Sequence, residues 1–319
     1  MKGLSAIIKK ELGDHFSSQR FVILFGMAAI ISFMTTYMAA INLKEALEGA
    51  SKPGFVFLML FSTPGAIFSL LQFVAFFGPL IGIVLGFDSI NRERVQGTLI
   101  KLLSQPIHRD SVINGKFLAS MITVGIMLLS ILLVVSGFGL FILGVVPGIE
   151  EIVRLALFFV LSLFYIGFWL ALSTLFSVVF KSITTSALAS FVLWIFLSFF
   201  LPLLGDVLAK AGTSQDTNKL TELELVIKQT KIKETIELGS VMALFSKSGS
   251  LLIDPTRKTV SSIVVMGPVE KFLSSRFKNP LSLDQSLLVI YPYALTIVAL
   301  TILCFGISYT VFILQEVRT

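Results

Sequence analysis

Six runs of this sequence are too long and too apolar to rest in water. They are Phe21–Ile41, Ala66–Phe87, Phe117–Val146, Leu155–Phe180, Ile183–Leu204 and Leu287–Leu314. Each reaches or exceeds the roughly 20 residues a helix needs to cross the hydrocarbon core of a bilayer. Lipid offers no partner for a backbone N–H or C=O, so such runs are expected to be helices that satisfy their own backbone. The chain is 55% hydrophobic and only 14% charged, against about 25% charged in an ordinary soluble domain. It cannot hide that surface in one core. The expected fold is an all-α integral membrane protein with six transmembrane helices. The first run is longer than the roughly 7–15 apolar residues of a signal peptide, and no small-x-small cleavage site follows it, so it reads as a retained span. Only Lys181 and Ser182 separate the fourth and fifth runs, which fits a tight turn at the membrane surface.

Charge gives the orientation. Lys2, Lys9, Lys10 and Arg20 precede the first span, and Arg92, Arg94, Lys101, Arg109 and Lys116 lie between the second and third. Lys181 lies in the fourth turn and Arg318 follows the sixth span. The short loops on the other side hold Lys44 and Lys52 against Glu45 and Glu48, and Arg154 beside Glu150 and Glu151. Cationic loops face the cytoplasm, so both termini are expected there, in a multi-pass protein of the plasma membrane. The same rule explains the net charge of +6. No basic cluster is interleaved with aromatics, which argues against nucleic acid as a partner.

The chain divides accordingly. Residues 1–20 form an amphipathic segment, with Leu4, Ile7, Ile8, Leu12 and Phe16 on one helical face and Lys2, Lys9 and Lys10 on the other. That pattern fits an interfacial helix with its basic side toward lipid phosphates, packing on protein being compatible with it. Residues 21–204 hold the first five spans and a charged loop, 88–116. Residues 205–286 are a polar, extracytoplasmic segment, turn-rich at its start and helical around residues 220–238. Residues 287–319 hold the sixth span and the C-terminus.

The usual sources of chemistry are missing from the sequence. His15, His108 and Cys304 make no standard zinc site. There is no H-E-x-x-H and no G-x-S-x-G. A phosphate-binding P-loop would need glycine at 110 to match Gly115 and Lys116, and position 110 is Asp110. The spans hold almost no ionisable groups, whereas ion-driven transporters carry them to ligate the driving ion. Asp88 stands at the cytoplasmic end of span two, where it can reach water. Gln72, Thr35, Thr36, Ser130, Ser162, Tyr165, Ser173, Thr174, Ser198, Thr296 and Thr301 are expected to hydrogen-bond between helices. No catalytic residue is nominated, and energy for any active transport must come from another polypeptide.

The exception to this oily monotony is NRERVQGTLIKLLSQPIHRD, residues 91–110. As a helix, GTLIKLLSQP puts Leu99, Ile100, Leu102 and Leu103 on one side and Thr98, Lys101, Ser104 and Gln105 on the other. Pro106 stops it. The product is a short amphipathic helix held at the membrane surface by two flanking spans, either as an interfacial anchor or as a docking element.

The stretch ERVQGTLIKLLSQPIHRDSVINGK resembles the signature of ABC-2 type transporter permeases, the kind whose ATPase is a separate chain. That signature runs Glu, Gly-Thr, Leu-Leu-Ser-x-Pro, Arg and Gly-Lys, matched here by Glu93, Gly97, Thr98, Leu102, Leu103, Ser104, Pro106, Arg109, Gly115 and Lys116. The layout of the whole chain is similar too, although 205–286 is longer than in many relatives. The resemblance implies the membrane subunit of an ATP-driven exporter, working as a dimer with an identical or homologous permease. Two P-loop ATPase subunits would hold the ATP and magnesium, and this chain would bind no cofactor of its own. The 97–105 helix would seat in a cleft on the ATPase. Glu93, Arg94 and Arg109, with Arg92 and Lys101 in the same insert, would hold it in place or contact the ATPase. The competing reading is a non-transporting membrane scaffold or sensor that binds a partner through 205–286.

Overall fold

A computed structural model describes residues 2–47, 55–62, 69–99, 104, 108–213, 222–255 and 280–315. All regular structure among these is helical. The helices are α1 (Lys2–Phe16), α2 (Gln19–Leu47), α3 (Val56–Ser62), α4 (Leu70–Gly86), α5 (Asn91–Val95), α6 (Arg109–Leu143), α7 (Ile149–Val179), α8 (Ile183–Ile195), α9 (Leu201–Thr213), α10 (Glu222–Glu237), α11 (Val241–Ile253) and α12 (Leu283–Leu314). A π-helical stretch, Phe196–Phe200, joins α8 to α9. Six helices are long and apolar enough to span a membrane, in the order expected. They overrun the apolar runs by several residues, because a helix continues wherever its own backbone bonds are the best available. Thus α6 begins at Arg109, eight residues before Phe117, and ends at Gly144, whose φ of +62° closes the C-terminus in the left-handed conformation.

The centre of the bundle is the packing of α4 on α7. Gly78, Gly82 and Gly86 recur every four residues and present one bare stripe. A Cβ on Gly82 would lie 2.6 Å from the Ile166 carbonyl oxygen, and one on Gly78 would lie 2.9 Å from Ile166 Cγ1. Small residues at this spacing let two backbones approach in a medium that supplies no hydrophobic drive of its own. The same contact repairs a break. Pro79 has no N–H to give the Ala75 carbonyl one turn earlier. The fully buried Tyr165 hydroxyl donates to that carbonyl instead, at 2.7 Å. Ser173 donates to the Gly82 carbonyl at 3.3 Å and Thr301 to the Phe164 carbonyl at 3.1 Å, so these three do bond between helices as expected. Thr35, Thr36, Ser130 and Thr296 instead donate to carbonyls one turn back in their own helices, and Ser162 and Ser198 have no side-chain partner among the described residues.

The segment 205–286 departs from its expected form at its start. Its start is helical through Thr213, not turn-rich, because span five simply continues as α9. Chain 214–221 and 256–279 lies outside the described residues. After α10 the chain bends by 114° and α11 enters the bundle, packing on α7, α12 and α4. Nearly every side chain of α11 is buried. Ser and Gly let it in: a Cβ on Gly249 would meet Leu71 Cδ1 at 2.5 Å. At the end of the bundle where α7 begins, Arg154 is wholly buried and fastens this insertion. It donates to Glu150 at 2.8 Å, to the Leu281 carbonyl at 2.8 Å, to Ser286 Oγ at 3.2 Å and to the Leu251 and Leu252 carbonyls at 3.5 Å.

Candidate functional site: the charged end of the bundle

At the opposite end, where α4 passes into α5 and α6 begins, the charged insert meets α1, the α7–α8 turn and the end of α12. A small separate core lies beneath it, formed by Ile7, Ile90, Val112, Ile113, Val178 and Phe312. Helix α1 reaches this core through a notch. Gly115 on α6 has no side chain, and Ile7 fills the place: a Cβ there would lie 2.7 Å from Ile7 Cγ2. The N-terminal helix is therefore packed on protein along part of its apolar face.

Next to the notch, charges from three helices gather. Lys116 Nζ lies 2.9 Å from Glu93 Oε1 and 2.9 Å from Glu11 Oε1. All three side chains are about nine-tenths buried, at 7%, 11% and 12% exposed. Lys10 adds a looser contact, 3.2 Å to Glu11, 3.6 Å to Glu93 and 3.6 Å to Asp14. Burial alone would raise the Glu11 carboxyl, but Lys116 and Lys10 outweigh it and hold its pKa below the ordinary value. His15, whose Nε2 sits 3.1 Å from Ser120 Oγ, is pushed below its ordinary value, first by burial, with Lys116 adding to it against the pull of Glu11. Asp88 does not extend into open solvent but lines a polar cavity. It is buried and paired with Arg20 at 2.7 Å, and Arg20 also lies over the Phe87 ring.

A second brace fixes the other side of α5. The Ile90 and Asn91 backbone N–H groups both donate to Ser177 Oγ at 3.1 Å. Arg94 donates to the Phe180 carbonyl at 3.3 Å and to Gln315 Oε1 at 2.9 Å, and Gln315 Nε2 donates to the Val178 carbonyl at 3.0 Å. Arg109 donates to the Gln315 carbonyl at 3.3 Å. Helix α5 is five residues long and has no side-chain N-cap; such a short helix owes its persistence to these contacts rather than to propensity.

From this fixed base the chain turns outward. Gly97 has φ +68° and open space around its α-carbon. Thr98 is helical and exposed, its hydroxyl donating to the Glu93 carbonyl at 3.3 Å, while Leu99 is buried at 3% exposed. Ser104 is exposed. Lys101, Leu102, Leu103 and Pro106 lie outside the described residues, as does the helix expected over 97–105 beyond Leu99. Behind Thr98 a polar cavity of about 760 Å³ opens between α1 and the α4–α5 corner, lined among others by Arg20, Asp88, Arg92, Glu93, Gln96 and Lys116.

The structure thus brings Glu93 and Lys116 together and gives Gly115 a packing role. It ties Arg94 and Arg109 to Gln315 and leaves Arg92 exposed at the cavity. Glu11, Ser177 and Gln315 were not foreseen. Glu11 had a visible signal, as an acid among the lysines of α1; a lone serine and glutamine at span ends have none. Among the described residues no group of His, Cys, Asp or Glu is placed to hold a metal ion.

Comparison with known proteins places the chain in a family. A family model described as "ABC-2 family transporter protein" matches residues 5–317. A relative from Pseudomonas aeruginosa, described as a probable ABC transporter permease protein NosY, is 31% identical over 155 residues, 48% of this chain and 50% of that one. A protein of the same description from Stutzerimonas stutzeri is 29% identical over 161 residues, 50% of this chain and 52% of its own. The aligned regions span about half the length of these relatives.

Proposed function

This chain belongs to the ABC-2 family of transporter proteins, and on that premise we propose that it is the permease subunit of an ATP-driven exporter whose ATPase is a separate chain. The observation that carries the reading is the braced corner at Gly97. A rigid platform of α5, α1 and α6 presents an exposed, left-handed turn followed by helix, between the second and third spans. A force applied to that corner passes into α6 through the Glu93–Lys116 contact and into α7 and α12 through Arg94 and Gln315. That is the mechanical requirement for turning closure of an ATPase pair into rocking of the spans.

The partners follow from the reading. Two such permeases would line a path between them, and two P-loop ATPases bearing ATP and magnesium would each receive one 97–105 segment. Lysine and arginine concentrate at this end of the bundle, which supports a cytoplasmic location for it and for both termini. The scarcity of ionisable residues in the six apolar runs of the sequence supports an external motor.

The test is co-purification. The full chain, expressed with a P-loop ATPase encoded beside it, should retain that ATPase through size exclusion. Gly97→Pro should abolish retention while the permease itself remains folded. A permease that purifies alone from cells expressing the ATPase would refute the reading and favour the scaffold.

A further inference from the structure

A second polar cluster shares no residue with the charged end. Helix α11 is buried on all sides, yet its middle carries Lys247, 6% exposed. A buried ammonium is costly unless it is paired and hydrogen-bonded. The carboxylate near it is Glu237, whose Oε2 stands 3.8 Å away, beyond hydrogen-bonding distance. Glu237 is shared, its other oxygen lying 3.8 Å from Lys233, and Lys233 keeps its short contact, 2.7 Å, for Asp206.

Three further groups lack partners on α11 and on the wall it packs against. Ser246 Oγ on α11, Ser198 Oγ and Trp194 Nε1 are buried with no partner among the described residues. Trp194 and Ser198 stand one turn apart on the α8–π wall, and α11 packs against the π-helical stretch that holds Ser198. Short π-helical interruptions of this kind concentrate at functional sites. The bend before α11 lies on the same wall, where a Cβ on Gly239 would meet Leu201 Cδ1 at 3.5 Å.

An indole N–H and an ammonium only donate, and a serine hydroxyl rotates to donate. Their common complement is an anionic group with several acceptor oxygens. Beside it lies an aromatic cluster: Phe76, Trp194 and Phe199, with ring centroids 5.6 to 6.0 Å apart. We propose that Lys247, Ser246, Ser198 and Trp194 form a binding site for an anionic amphiphile, the head held by the four donors and the apolar body by the aromatic rings. That this amphiphile is the transported molecule rests on the transport reading above; the binding site does not.

The full chain in phosphatidylcholine nanodiscs, without ATPase, tests it. Dodecyl phosphate should bind saturably. Dodecyltrimethylammonium should not compete with it, nor should inorganic phosphate at the same concentration, whereas phosphatidylglycerol in the disc, itself an anionic amphiphile, should. Lys247→Met should weaken binding by tenfold or more, the usual effect of losing a charged hydrogen-bond donor of about 1.5–3 kcal/mol, and Trp194→Phe by severalfold. The double variant Lys247→Met, Glu237→Gln leaves no charge unpaired. It should melt like the parent and still fail to bind, as a merely structural ion pair would not. Dodecyl phosphate binding unchanged in the double variant, equal binding of the cationic probe, or no saturable binding by the parent would each overturn the proposal.

Discussion

Substituting Lys116 by methionine isolates the central contact of the charged end. Methionine keeps most of the stem volume and removes the ammonium. Glu11 and Glu93, both about nine-tenths buried, then keep Lys10 as the cation in contact with them among the described residues. Lys10 is 54% exposed, so solvent screens most of what it offers. Removing one member of a buried ion pair costs about 3–5 kcal/mol, because the charge left behind is uncompensated. The lower end, about 3 kcal/mol, suits a cluster that keeps some help from Lys10. The affected unit is α1, which joins α6 here and at the Ile7–Gly115 notch. Its local opening should therefore become roughly a hundredfold more populated, at about 1.4 kcal/mol per factor of ten. Maleimide labelling of a cysteine at position 7, with Cys304→Ala removing the native thiol, reads that opening directly. Adding Glu11→Gln and Glu93→Gln to Lys116→Met should restore most of the protection, since no buried charge is then stranded. A labelling rate raised less than threefold by Lys116→Met would refute the argument that this cluster fastens α1.

Three other outcomes are expected. Tyr165→Phe should destabilise by about 1–2 kcal/mol by stranding the Ala75 carbonyl, and Pro79→Ala added to it should recover most of the loss by supplying the missing N–H, as thermal unfolding in detergent will show. Gly97→Ala should cost about 1 kcal/mol through its positive φ alone, since nothing crowds the position, whereas Gly97→Asn should be milder; ATPase retention should follow the same order. His15 has a folded-state pKa below its unfolded value of 6.5, so the unfolded chain takes up protons first as pH falls. Stability should therefore decrease as pH drops below about 6.5 and be fully regained above it, and His15→Gln should flatten that slope in melts between about pH 7.5 and 5.5.

The ion cluster shows where reading a sequence stops. Glu93, Gly115 and Lys116 were all visible as a pattern, but the pattern does not say that Gly115 exists to admit Ile7 from 108 residues earlier. Glu11 escaped notice because its partner lies 105 residues away. The glycine stripe Gly78–Gly82–Gly86 was legible in principle, since spacing of four on an apolar helix marks close approach. Its partner was not, because any of the other spans could have met it.

Sequence alone determined the number of spans, their order and the charged insert between the second and third, because the cost of placing polar groups in lipid is paid residue by residue and leaves a local record. The distribution of lysine and arginine also carries the expectation that the insert faces the cytoplasm. Tertiary structure decided that α11 turns back into the bundle, that Tyr165 repairs the backbone at Pro79, and that Lys116 joins two carboxylates from separate helices. Each of these depends on which residues meet across long separations in the chain, and helix-to-helix contact in a membrane is set by fit between surfaces that look alike in composition.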